Sequence, residues 1–227
     1  MKAIILAGGK GTRLKPLTDN IPKALIPLGD TTLIERILNA LPENIDTIII
    51  TTKHLGELIE EKISSAYKGK KVLYAPQPEG MDGTWGALYG AKKYIDTDEH
   101  FCVMNCDDLF DQNELRDIIE TNRIGMGVTE TRMPAKYHGI EISEDHHVLG
   151  LKKHTNENKE EIISDLFANG FFLLDKTIFD FEPIALTDGE FGLPQTLMAN
   201  IVHYPLFAHS FFYWQPCNSF DDLKKIT

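Results

Sequence analysis

Apolar positions in the first half of the chain follow two alternating patterns. Residues 2–6, 46–52, 71–75 and 101–105 are near-continuous β-branched or aliphatic runs, which predict strands covered on both faces. Between them, apolar residues recur every three or four positions. Leu33, Ile34, Ile37, Leu38 and Leu41 mark one helix, with Thr31 or Thr32 available as its cap. Further helices are expected over about 55–66, 87–95 and 113–121. Strands alternating with helices predict an α/β fold with a doubly wound, mainly parallel sheet and right-handed crossovers. From Gly125 the rhythm turns β-rich, with strands expected at 127–131, 139–143, 148–154 and 168–174 and a polar surface loop at 154–159. A helix near 193–202, short strands around Phe207 and Tyr213, and a helix over 220–226 complete the pattern. The run Phe211-Phe212-Tyr213-Trp214 predicts a buried strand. With no internal repeat or low-complexity linker, one domain of two halves, 1–122 and 123–227, is expected.

The first strand empties into Gly8-Gly9-Lys10-Gly11. Glycines there let backbone N–H groups converge, because no Cβ blocks positive φ or a close ligand. Donors gathered at the carboxyl end of a strand suit phosphate. Arg13 and Lys23, the latter after Pro22, add positive charge beside that cradle. Two better-known phosphate motifs do not fit. Gly9-Lys10 is followed by Gly11 rather than Ser or Thr, so this is no P-loop, and Leu14 occupies the third glycine position of a dinucleotide fingerprint.

Gly8-Gly9-Lys10-Gly11-Thr12-Arg13-Leu14-Lys15-Pro16-Leu17-Thr18, followed by Pro22-Lys23, resembles the signature G-G-x-G-T-R-(L/M)-x-P-L-T…P-K of the sugar-phosphate nucleotidyltransferases, the NDP-sugar pyrophosphorylases. The resemblance is strong over residues 1–28, fair to about 110 and thin beyond. It implies a Rossmann-like sheet with a β-rich acceptor-binding lobe. It also implies nucleotide contacts from Leu6, Ala7, Gly8, Gly9, Gly11, Thr12 and Arg13, with Arg13 and Lys23 as the catalytic cations. Gln77, Gly83 and Thr84 resemble the family's base-reading segment, although one extra residue separates Gln77 from Gly83 and Trp85 stands where a small residue is usual. The base therefore stays open among CTP, UTP, dTTP and GTP.

Asn105-Cys106-Asp107 is similar to the family's N-G-D, which implies that Asp107 binds the magnesium of the nucleotide. An N-cap for the next helix is the other reading of Asp107 or Asp108. On the acceptor side the resemblance points to Gly139, Lys153 and Asn169. It departs from the pattern at Lys152, where a sugar-gripping Glu is usual, and at Pro216, where a second metal-binding Asp is usual. Asn218 is either the replacement ligand or a helix N-cap. Lys152 has donors and no lone pair, so an acceptor with a second anionic group, or a phosphorylated polyol, choline or modified sugar, gains ground over a plain hexose 1-phosphate. Many relatives continue into a left-handed β-helix, and no such tail follows here.

The resemblance implies transfer of a nucleoside monophosphate from an NTP to a sugar 1-phosphate or related phosphate, with Mg²⁺ as cofactor and pyrophosphate released. The altered motifs leave a second reading, a nucleotide-binding regulatory module without catalysis. Composition narrows the remaining classes. With 227 residues, 42% hydrophobic and 25% charged, the chain can bury a globular core. Its formal charge of −11 argues against nucleic acid, so a phosphorylated substrate needs a local cationic pocket. Three cysteines without metal spacing suggest reduced thiols. The sequence opens directly into a strand, and no apolar run is long enough to span a membrane. A cytoplasmic protein free to form a homo-oligomer is expected. The histidines, among them His138, His146, His147, His154, His203 and His209, follow no paired-ligand spacing and are expected at the surface.

Overall fold

The computed structural model describes residues 1–95, 99–152 and 158–226. Its framework is β1 (Lys2–Leu6), α1 (Leu33–Ala40), β2 (Thr47–Thr52), α2 (Gly56–Ile63), β3 (Lys70–Pro76), α3 (Gly83–Ala91), β4 (Phe101–Asn105), β5 (Asp108–Phe110) and α4 (Gln112–Glu120). The second half adds β6 (Gly125–Pro134), β7 (Gly139–Ile142), β8 (Val148–Lys152), β9 (Ile162–Leu174), α5 (Leu193–Ala199), β10 (Phe207–Ser210), β11 (Trp214–Pro216) and α6 (Phe220–Lys224).

One eight-stranded sheet runs in the order β10-β6-β9-β4-β1-β2-β3, with the edge strand Ala66–Tyr67 beside β3. β1 lies between β4 and β2 and pairs parallel with both. β9 joins antiparallel to β4 and β6, while β10 returns parallel to β6. The doubly wound expectation therefore describes the first half, and an antiparallel pair extends the sheet in the second.

The continuous apolar runs follow from burial on both faces. Ala3, Ile5, Ile48, Ile50, Cys102 and Met104 face one core with α1, α2 and α4. Ile4, Leu6, Ile49, Phe101 and Val103 face another with α3 and α5. Because side chains alternate across a strand, every second residue serves a different core, so each must be apolar. Thr32 caps α1 in a reciprocal capping box with Glu35, satisfying two otherwise orphaned N–H groups.

Several boundaries differ from the sequence expectation. α2 stops at Ile63 because Ser64 takes positive φ, and Lys68 and Gly69 then turn the chain into a hairpin. α3 begins at Gly83, earlier than the apolar periodicity suggested, since its first turn is built from Gly83, Thr84, Trp85 and Gly86. Glycine's poor helix propensity hid that turn. The aromatic run at 211–214 is not a buried strand: Phe211 is buried, but Phe212 is 92% and Tyr213 49% exposed, and the strand starts only at Trp214. Most of the polar loop at 154–159, and the expected end of β8 at His154, lie outside the described residues. Cys102, Cys106 and Cys217 are buried free thiols, and among the described residues no helix is long and apolar enough to cross a membrane.

His209 corrects the surface expectation for histidines. It is 2% exposed, packed edge-on against Phe171 and Phe207, and its Nε2–H donates to the Arg123 carbonyl at 2.9 Å. Burial holds its pKa below the usual 6.5. The unfolded chain therefore takes up a proton near 6.5 that the folded imidazole resists, and stability is lost as pH falls through that value. His209→Gln should flatten the slope of unfolding free energy against pH between about 7 and 5, read by denaturant titration.

Candidate active site

The glycine loop leaves the carboxyl end of β1, where Ala7 N still donates to Thr51 O at 3.0 Å. Gly11 has φ of 61°, and a Cβ on it would meet Thr18 Cγ2 at 2.8 Å and Lys23 Cβ at 3.1 Å. Thr18, itself buried, donates its hydroxyl to the Gly11 carbonyl at 2.8 Å. Nothing lies within 4 Å of a Cβ position on Gly9, so the loop is packed on the protein side and open on the other. Thr12 and Arg13 are exposed beside it, while Leu6 and Ala7 are buried. The loop thus leaves one side of its backbone open, as a phosphate cradle requires.

Lys23 follows Pro22 into a short 3₁₀ turn and is only 8% exposed. Its Nζ donates to the Asp107 carboxylate and, at 2.9 Å, to Asn218 Oδ1. Arg13 Nη2 donates to the same Asn218 oxygen at 2.9 Å. The sequence-predicted Arg13, Lys23, Asp107 and Asn218, from three distant parts of the chain, therefore meet in one cluster. Neither helix-cap alternative holds. Asp111 caps α4 by accepting from Asn113 N and Glu114 N, and Ser219 caps α6 by accepting from Asp222 N. Asp107 and Asn218 aim two hard oxygen atoms at one cation, the Lys23 ammonium. That donor set fits Mg²⁺, which takes one or two protein oxygens and completes its shell with water and phosphate. Among the described residues no group of three or more His, Cys, Asp or Glu side chains offers another metal cage.

Asp108 turns inward. It is 4% exposed and accepts from Asn105 Nδ2 at 2.9 Å and Trp214 Nε1 at 2.7 Å. Burial, and then the neighbouring Asp107 charge, push its carboxyl up to about 7. Burial also raises the Cys106 thiol, and raises Cys217 to about 12, so neither supplies a thiolate nucleophile near neutrality.

Gln77 lies across from the glycine loop. Its Nε2 donates to Met81 O at 2.7 Å and Gly83 O at 3.3 Å, and its Oε1 lies 2.8 Å from where a Gly8 Cβ would sit. Gly83 has φ of 92°, and a Cβ there would meet Phe191 O at 2.5 Å. The Thr84 hydroxyl accepts from Leu193 N at 2.9 Å, at the start of α5. Thr84 therefore spends its side chain on joining the two halves of the chain. Trp85, the departure noted in the sequence, is a buried core residue. Lys53 pairs with Asp82 across the same rim.

The acceptor-side candidates do not all gather at this cluster. Asn169 is buried, donating Nδ2–H to Thr129 Oγ1 at 3.1 Å and accepting from Phe171 N at 3.2 Å. Its side chain braces β9 against β6, and the adjoining Gly170 packs on Asp108. Gly139 approaches Asp165, whose Oδ2 would lie 2.8 Å from a Cβ at that position. Lys153 lies outside the described residues. Lys152 pairs with Asp165 at 2.9 Å, so the extra positive charge expected from the sequence is offset by a carboxylate on the facing strand.

Residues 2–192 match the nucleotidyl transferase family. The chain belongs to that family. This nucleotidyl transferase is 30% identical over 180 residues to the bifunctional protein GlmU of Methanococcus aeolicus, covering 79% of the chain and 41% of the relative. It thus spans about two fifths of the length of that relative. The D-glycero-alpha-D-manno-heptose 1-phosphate guanylyltransferase of Campylobacter jejuni is 28% identical over 181 residues, covering 79% of this chain and 78% of the relative. A UDP-glucose pyrophosphorylase solved with UDP-glucose superposes with a TM-score of 0.79 at 20% identity, covering 99% of this chain and 96% of the other, a likeness of fold.

The sequence reading of this nucleotidyl transferase missed Thr18, Asp165 and the bond from Asp108 to Trp214. Thr18 lay inside the quoted signature, but the other two depend on pairing between distant strands and left no local spacing to find. Gly86 carries a testable demand of the base-side loop. A Cβ there would lie 1.6 Å from Met81 O, the carbonyl that orients Gln77. Gly86→Ala should weaken NTP binding by about tenfold, in keeping with overpacking costs of 1–3 kcal/mol, while far-UV dichroism stays unchanged; calorimetric titration reads the first and spectroscopy the second.

Proposed function

We propose that this chain transfers a nucleoside monophosphate from an NTP to a phosphorylated small molecule and releases pyrophosphate. The reading is carried by the convergence of Arg13, Lys23, Asp107 and Asn218 beside an open glycine loop. An acceptor phosphate oxygen attacks the α-phosphorus, the bond from that phosphorus to the bridging oxygen breaks, and pyrophosphate takes the electron pair. A phosphate monoester, whose second pKa is about 6, is already largely dianionic at neutrality, so the nucleophile needs no general base. What remains is positioning and charge stabilisation. Backbone N–H groups of Gly8, Gly9, Gly11 and Thr12 would hold the triphosphate, and Arg13 would grip the departing phosphates. Lys23 would bridge the α-phosphate and the acceptor. Asp107 and Asn218 would hold Mg²⁺, whose contribution when bound is to neutralise phosphate charge and orient the triphosphate. Lys23 must then exchange its bonds to these two oxygens for bonds to phosphate.

On the base side, Gln77 has both amide protons engaged by backbone carbonyls, which leaves Oε1 to accept from an N–H on the base edge. The acceptor is a sugar 1-phosphate or a related phosphate, as the heptose 1-phosphate relative suggests. With Lys152 paired to Asp165, the case for a second anionic group weakens. A cytoplasmic setting fits these substrates.

Pyrophosphate release across a panel of UTP, dTTP, CTP and GTP with phosphorylated sugars and polyols tests the reaction. Nucleotide binding without turnover on any acceptor would support instead a regulatory module, the reading that Pro216 keeps in view. Arg13→Ala and Lys23→Ala should each lower kcat by about a hundredfold or more, the scale of removing one preorganised donor from a transition state; near-wild-type turnover in either would sink the assignment. Asp107→Asn should abolish the Mg²⁺ dependence of nucleotide binding with the fold retained, as read by titrating Mg²⁺ at fixed NTP.

A further inference from the structure

We propose that Asp108 is a positioning residue, its buried carboxylate gripping the Trp214 indole to fix the strap that carries Asn218 opposite Asp107. The strap, residues 211–219, meets the nucleotide half through very little regular structure. Among the described residues β11 pairs only with β5, over three residues: Trp214 with Phe110, Gln215 with Leu109 and Pro216 with Asp108. Pro216 has no N–H to give, and a two-stranded ribbon this short is marginal in isolation. Asn218 nonetheless sets its oxygen 2.9 Å from both Lys23 Nζ and Arg13 Nη2. A slip of one residue in the ribbon would carry it about 3.3 Å along the strand, beyond reach of both cations.

The Asp108 carboxylate prevents that slip because three parts of the chain close on it. Oδ1 accepts from the Trp214 indole and Oδ2 from Asn105 at the end of β4. Gly170 of β9 leaves the space, since a Cβ there would lie 1.9 Å from Oδ2. Two acceptor oxygens serving two fixed donors define a register that backbone pairing alone does not. Beyond the latch, Cys217 N donates to Asp107 O at 2.7 Å, so the backbone preceding Asn218 is tied to the residue it must face. Before it, the Glu114 carboxylate accepts from Phe212 N at 3.2 Å and Tyr213 N at 3.0 Å. The strap is held at both ends, and Asp108 sets its register between them.

This inference rests on the proposed function only for its activity readout. Trp214→Phe keeps the ring and removes the N–H. It should move the Asn218 side-chain amide resonance in a ¹H–¹⁵N spectrum of the free protein, and weaken binding of the Mg²⁺ complex of the preferred NTP by about tenfold, as for residues that orient metal ligands. In an Asn218→Ala background the same change should add nothing further. Asp108→Asn, which keeps an oxygen for the indole, should retain most of the affinity that Asp108→Leu loses. An unmoved Asn218 resonance in Trp214→Phe, or losses that simply add in the double variant, would overturn the latch. If no NTP is turned over, the proposed function fails, while the spectrum of Trp214→Phe still decides the register.

Discussion

The candidate site depends on one almost buried ammonium. Lys23 stands between Asp107 and Asn218 in a protein of net charge −11, and no general positive field draws anions to it. Charge in a place of low exposure is costly unless paired. A half-made pair costs more than a complete one or none, which explains why oxygens from two separate parts of the chain are brought to the same nitrogen. The Asp107 carboxylate balances the Lys23 charge, and the Asn218 amide oxygen is shared by Lys23 and Arg13. Under the proposed function, phosphate would compete with Asp107 and Asn218 for the ammonium, since both oxygens already hold it.

The surrounding architecture serves this cluster. β1 places the glycine loop, β4 and its following turn place Asp107, and the strap of residues 211–219 brings Asn218 from far along the chain. The middles of the central strands are apolar on both faces because each face has its own core, and this gives the loops at their carboxyl ends a rigid base. The candidate site lies at the carboxyl ends of the strands, where open parallel sheets usually bind ligands. The antiparallel pair β6 and β9 adds a second wall, carrying Gly170 to Asp108 and Asp165 to Lys152.

Legibility in the sequence followed the range of the interactions. The strands of the first half, the capped helix α1 and the signature loop depend on neighbours a few residues away, and their patterns were plain. Asp107 and Lys23 were legible through the resemblance, although nothing in either segment tells of their contact. The burial of His209 results from strands that meet across long separations, and the exposure of Phe212 and the pairing of Lys152 with Asp165 depend on where the chain turns, so residue type misled. A histidine reads as polar until a carbonyl such as that of Arg123 is brought to its ring. Asn169 shows the reverse case, a motif residue whose side chain is used up in holding the scaffold.

The contact between Gly83 and Phe191, with Thr84 accepting from Leu193, means that the wall behind the base-side loop is built by residues more than a hundred positions later. The first half, although its strands and helices alternate like a free-standing unit, borrows the backing of its Gln77 loop from the second. A fragment ending near residue 122 would keep the glycine loop and Asp107 yet lose the support that shapes Gln77 and the first turn of α3. Recombination between relatives is constrained in the same way: a new second half joined to this first half must also bring a segment that fits against Gly83, or the Gln77 loop loses its backing.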